Sequence, residues 1–258
     1  MNRMFRASSL SLTIIQLSTT ILGIIGIVIY QFTYTEALMV LLGYFLLSGI
    51  GISIFYHRYL SHRCFKTNIV YEYMGTILGI LAGRGSPIGW VTIQRMHHRY
   101  ADTVDDPHMP IINDVPTWRI LIPKLITQAD EYNINPFIVR DLLKNKFHLF
   151  VNNYYNLILF LFVCMFSFIS FHSFIFLWVI PVALTAWILN LSVYIAHKHG
   201  YRTYSIKDGA TNSWFISLLL WGEGWHNNHH HDTSKWNLRE KWWEIDPAAG
   251  IIRLLKNG

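Results

Sequence analysis

Three histidine clusters punctuate the chain: His57-Arg-Tyr-Leu-Ser-His62, Gln94-Arg-Met-His97-His98 and His226-Asn-Asn-His229-His230. A further pair, His197 and His199, sits two residues apart. Neutral imidazole is a common metal ligand. A structural zinc needs only four donors and often takes thiolates. Here eight or nine imidazoles stand beside no suitable cysteine spacing, a count that suits two metals better than one. Imidazole serves iron, copper and zinc alike, so donor type alone does not choose the metal. Positions 94, 97, 98 and 226, 229, 230 are each i, i+3, i+4, which on a helix share one face. Each trio is therefore expected to aim at one point. His57 and His62 are five apart and point in different directions on a continuous α-helix. Either they serve different metals or the helix breaks between them. Carboxylates commonly orient ligating histidines. Glu223, three before His226, is read in that role, while Asp102, Asp105 and Asp106 read equally well as surface charge.

The elements that must position these clusters are apolar. The chain is 52% hydrophobic and only 14% charged, against about 25% charged in average soluble domains. Leu10 to Tyr30 carries no charge and at about 1.5 Å per residue covers one bilayer core of about 30 Å. Residues 37–56 form a second such run. Residues 155–196 form a third, long enough for two spans with a tight turn near His172 and Ser173. The expected fold is an all-α membrane protein of one domain, with four transmembrane helices in two hairpins (10–30, 37–56, 155–173, 175–196). A cytoplasmic helical cap holds the histidine-rich centre. Residues 69–93 are apolar but interrupted by Glu72, Gly83, Arg84, Gly85 and Pro87, which suits an interfacial or re-entrant segment.

Charge distribution sets the expected topology. All 21 Lys and Arg fall before the first span, between Arg58 and Lys146, or after Ala196, and none lies in a hairpin loop. The positive-inside rule places that side, with all the histidine clusters, in the cytoplasm. The net charge of +6 flanks membrane spans and so reads as an orientation signal or a face for anionic lipid or an acidic partner, not as a nucleic-acid site. Cys64 and Cys164 are expected at different depths and unbridged. His148, His172 and His231 match no ligand pattern and are read as structural. His108 and His199 are further candidates near the centre, and Trp90 and Trp225 flank it.

At this point the residues resemble a known family. His57-x4-His62, then His97-His98, then Gly222-Glu-Gly-Trp-His226-Asn-Asn-His229-His230 is similar to the membrane-bound fatty acyl desaturases of the stearoyl-CoA, delta-9 type. Asp106-Pro-His108 and His197 followed by Gly200-Tyr-Arg202 also match. The resemblance runs from about Ser48 to His230. It implies a non-haem centre of two Fe ions with O2 as co-substrate, removing two hydrogens from a saturated acyl chain to leave a cis double bond. Carried over, the metal ligands are His57, His62, His97, His98, His197, His226, His229 and His230. The implied partners are a fatty acyl substrate (CoA, lipid or carrier-protein linked), a separate electron donor of ferredoxin or cytochrome b5 type, and the lipid bilayer. The implied location is multi-pass, in a bacterial inner membrane or the endoplasmic reticulum.

Three positions depart from the pattern. The family's second box opens with histidine where this chain has Gln94. Its asparagine four residues before His197 is Val193 here, with Asn190 one turn further back. A charged pair common in acyl-CoA-using members is Thr92-Ile93. Two other functions stand beside this one: a di-iron acyl or lipid hydroxylase, which uses the same oxidant and a histidine pattern that separates it poorly, and a non-catalytic metal-binding protein of desaturase type, motivated by Gln94 and Val193.

Overall fold

The structure, a computed structural model, describes residues 9–107 and 136–256. It is helical almost throughout. Among the described residues, extended pairing is confined to the isolated bridges of Asn212 with Tyr201 and Trp225. Three helices are long and apolar enough to cross a membrane: α1 (Ser9–Tyr30), α2 (Tyr34–Ser61) and α8 (Phe171–Lys198). A bent pair, α6 (Lys146–Asn153) and α7 (Tyr155–Ile169), makes a fourth candidate, its halves meeting at 67°. Between α7 and α8 the chain turns at Ser170, which is extended (φ −159°, ψ 100°), and whose hydroxyl accepts from the Ser173 backbone. His172 thus lies inside α8, and the turn falls two residues earlier than the sequence suggested.

The two hairpin tips are tied to each other. Thr33 and Glu36 form a reciprocal cap at the start of α2, the arrangement that satisfies orphan donors at a helix N-terminus. The same Glu36 carboxylate pairs with His172 Nε2 at 3.0 Å. This is the structural role expected of that histidine.

The decisive local feature is the winding of α2. From Phe45 to Ser61, seventeen residues are wound with i→i+5 hydrogen bonds. Such winding is rare, usually confined to one turn, and frequent at functional sites. Helix α3 (Ile69–Leu81) packs along this stretch with very small separation. A Cβ on Gly51 would stand 2.7 Å from the backbone nitrogen of Gly79, so both positions need the missing side chain. Five residues link α3 to α4 (Pro87–Tyr100), which starts with a Ser86 cap and a proline in its first turn. The short helix α5 (Arg140–Leu143), preceded by a single tight turn at Pro136–Val139, packs near α4. Past α8 come α9 (Trp214–Leu219), α10 (His226–His231) and α11 (Pro247–Leu255). His108 lies outside the described residues, as does most of the segment expected to cap the bundle.

Candidate metal centre

Two arginines, Arg58 buried and Arg95 half-buried, fix the frame on which the histidines stand. Arg58, fully buried at the end of α2, donates to Glu223 (2.9 Å), to Asp246 (2.8 Å) and to the Trp236 carbonyl (2.8 Å). It thereby fastens α2 to the C-terminal segment. Arg95 on α4 donates to the Ser61 and Leu60 carbonyls (2.8 and 2.7 Å), which are helix-end acceptors that would otherwise go unpaired. Its other face forks onto Asp141 of α5 (2.8 and 2.9 Å), the bidentate geometry that suits a guanidinium. Neither arginine stood out in the sequence, because a lone Arg beside a span reads as an orientation signal.

Within this frame the histidines gather in two groups of four: His57, His62, His98 and His229, and His97, His197, His226 and His230. In each group the ligating atoms all lie within 4.8 Å of one another. All eight residues singled out in the sequence are there. Their grouping differs from the expected one. The helical trios do not each serve one point. Adjacent residues His97 and His98 go to different groups, as do His229 and His230, because side chains one residue apart on a helix diverge by about 100°. Conversely, His57 and His62 share a group, with ring centroids 4.8 Å apart. The reason is the winding of α2: the His62 backbone donates to the His57 carbonyl at 3.2 Å, so residue i+5 stacks over residue i. The expectation of divergence assumed α-helical pitch.

The atoms facing inward fit a metal in each group. Nε2 of His57, His62 and His230 is buried with no hydrogen-bond partner, an arrangement that native proteins rarely leave unexplained. His197 and His226 present Nε2 to Nε2 at 3.0 Å, and His98 and His229 do so at 3.1 Å. Two nitrogens each about 2.1 Å from one ion, at right angles, stand about 3 Å apart. Burial, reinforced by neighbouring imidazoles, holds His62, His98, His229 and His230 well below the usual histidine range. They are neutral with lone pairs free, the form a metal binds.

Carboxylates stand behind four of the rings. In the second group His97 Nδ1 meets Asp106 at 2.9 Å, His197 Nδ1 meets Asp102 at 3.1 Å, and His230 Nδ1 meets Asp208 at 3.1 Å. In the first, His57 Nδ1 contacts Glu223. Each contact fixes the ring and turns Nε2 inward. Burial opposes ionisation of Glu223, but His57 and Arg58 outweigh it and hold the carboxyl near about 2. Asp102 is likewise lowered, burial being offset by His197 and the Gly209 backbone donor. Asp105 is exposed and takes no part. Asp208 was missed, since it belongs to no box and reaches His230 only through the loop after α8. Asn227 shapes that loop. Its Oδ1 accepts from the Thr203 and Tyr204 backbones, both at 2.8 Å, and its Nδ2 donates to the Tyr204 and Ala210 carbonyls. Asn228 secures the opposite side of α10, donating to Leu238 and Glu244 at 3.0 Å.

The remaining candidates separate cleanly. Gln94 lies beside the first group, its amide 3.4 Å from His98 Nε2. Asn190 is bonded to Arg84 and Gln16 inside the bundle, away from the rings. His199 is exposed and lies near Tyr194. His148 pairs with Glu72 at 2.7 Å, and His231 stacks on Tyr204 at 3.7 Å. Cys64 is half-buried, its thiol pushed up to about 12 by desolvation, and bonds the Thr233 carbonyl. Trp225 donates to the Ile245 carbonyl at 2.8 Å, a packing role.

Comparison with known proteins identifies the family. The family profile described as fatty acid desaturase matches residues 35–253. An sn-1 stearoyl-lipid 9-desaturase of Anabaena variabilis is 32% identical over 232 residues, covering 88% of this chain and 82% of that protein. One of the same name from Synechocystis sp. is 33% identical, covering 87% and 70%. An acyl-CoA 5-desaturase of Anemone leveillei is 29% identical, covering 88% and 71%. With a matched span that includes both histidine groups and the carboxylates behind them, the chain belongs to the fatty acid desaturase family.

Proposed function

We propose that this oxidoreductase is an O2-dependent fatty acyl desaturase that places a cis double bond in a saturated acyl chain. The observation that carries the reading is the division of eight histidines, four of them buried, into two groups of four. His57, His62, His98 and His229 hold one iron, and His97, His197, His226 and His230 hold the other. Gln94 borders the first. When bound, the two irons supply an oxidant, made from O2 and two electrons, strong enough to break an unactivated C–H bond.

The protein's part is orientation and exclusion. Glu223, Asp102, Asp106 and Asp208 keep four rings in one tautomer, and the neutral, enclosed imidazoles keep bulk water from the reacting carbons. A saturated chain offers no polar handle, so an apolar surface must set its position. Four spans in two hairpins bring the acyl chain from the bilayer to a helical cap on the cytoplasmic side. The whole chain acts as one domain. Electrons come from a separate donor of ferredoxin or cytochrome b5 type. Thr92-Ile93 in place of a charged pair, and relatives named for acyl-lipid substrates, favour a lipid-linked acyl chain over a CoA ester.

Two measurements test the reading. The purified chain should carry close to two irons, and its expression in a host lacking desaturases should yield monounsaturated chains two hydrogens lighter than their precursors. A product heavier by one oxygen would replace desaturation with hydroxylation. Zinc alone, in a preparation shown not to have lost iron, would remove the catalytic reading.

A further inference from the structure

Arg84 lies inside the bundle but takes no part in the metal centre or its frame. It sits at the tip of the α3–α4 link, between two glycines in the left-handed region (Gly83 φ +68°, Gly85 φ +108°). Side chains rarely adopt that conformation, so glycines on both sides dictate the turn that presents Arg84. The tip enters the helix bundle. A Cβ on Gly83 would meet Ile15 of α1 and Val182 of α8 at 3.2 and 3.4 Å. Gly85 is clamped by the hydroxyls of Tyr56 and Tyr155, each at 3.2 Å.

The Arg84 side chain is half-buried, with its Nε out of reach of solvent. Among the described residues one hydrogen bond is recorded for it: Nη2 donates to Asn190 Oδ1 at 3.1 Å. Nε is buried with no partner, and among the described residues no carboxylate pairs with Arg84. A buried charge without a counter-ion is costly. Ionisable groups inside a membrane-protein bundle mark ligand sites more often than structural ones. Asn190 lies on α8 seven residues before His197 (197 − 190), about 10 Å along the helix. Arg84, bonded to Asn190, therefore lies within one acyl-chain length of the histidines.

We propose that Arg84 anchors a carboxylate subsite, which takes an unesterified long-chain fatty acid with its carboxylate on the guanidinium and its chain running toward the histidine groups. A planar guanidinium with an unspent edge matches a carboxylate in geometry and charge. The subsite rests on the acyl-binding reading above and goes beyond it, because the relatives are named for esterified substrates.

Binding to the purified full-length protein in neutral detergent tests this without turnover. Stearate and methyl stearate, which differ in charge but hardly in length, compete against tritiated methyl stearate. Wild type should bind stearate about tenfold more tightly than methyl stearate, the size expected of hydrogen bonds to a charged group. Arg84→Gln should abolish that preference while leaving methyl stearate affinity and metal content unchanged. Arg84→Lys, which keeps the charge but loses the fork, should retain part of it. Equal affinities in wild type, or a preference that survives in Arg84→Gln, would overturn the subsite. Failure to bind either ligand would instead count against the acyl-binding reading itself.

Discussion

The two histidine groups are unequally supported, and the inequality predicts how metal leaves the protein. Three carboxylates stand behind the second group and one behind the first. A carboxylate in that position is worth about 10–100-fold in metal affinity. Two extra ones give about 100–10,000-fold, or about 3–5 kcal/mol, if they act independently. They do not act fully independently, because the Asp102 backbone donates to Asp106 at 2.9 Å, so the lower half of that range is expected. Iron should leave in two steps as chelator is raised, the first from His57, His62, His98 and His229. Asp208→Asn leaves the His230 ring in place but removes the charge behind it. It should bring the second step about 10–100-fold closer to the first without moving the first. The readout is iron per chain at graded chelator concentration. A single step in wild type, or a variant that moves only the first step, would refute the reasoning.

His98→Ala and His226→Ala, one from each group, should each abolish unsaturated product while the chain still inserts in the membrane; full turnover in either would overturn the assignment of that ring. Arg58→Met leaves Glu223 and Asp246 buried without their cation, at a cost of about 3–5 kcal/mol and a Tm lower by about 6–20 °C; an unchanged Tm in a thermal melt would sink the frame argument. Burial raises the Asp141 carboxyl, but Arg95 and Arg63 outweigh it and hold it at about 2. Because the folded value is depressed, the stabilisation is complete above the unfolded value of about 4 and fades as pH falls toward 2. Melts of wild type should therefore lose more Tm across that window than melts of Asp141→Asn, and parallel slopes would refute the tie.

The parts legible in the sequence were those written in residue type. Uncharged runs announced α1, α2 and α8, the three boxes announced seven of the histidines, and the family resemblance supplied His197. What escaped depends on backbone pitch and on folding at a distance. No periodicity in Phe45–Ser61 distinguishes i→i+5 winding from α-helix, so His57 and His62 looked divergent. The i, i+3, i+4 trios obeyed helical geometry, but the geometry that mattered was the divergence of adjacent residues. Asp208 gains its role from Asn227, which shapes its loop. Asn190 looked like a displaced companion of His197 and is instead a partner of Arg84. Tyr155–Ile169 looked like a full span, but it is short and meets its neighbour at an angle.

The exchange of adjacent histidines between the groups has a mechanical consequence. His97–His98 on α4 and His229–His230 on α10 each straddle the two groups, with ring centroids 5.4 and 6.0 Å apart. The separation of the two metal positions is thus gauged twice, by one peptide step on each of two helices. A single inserted residue at either step would rotate everything beyond it by about 100°, detuning both positions at once. The two sites share one tolerance, and the spacing between them is held as firmly as the pitch of a helix.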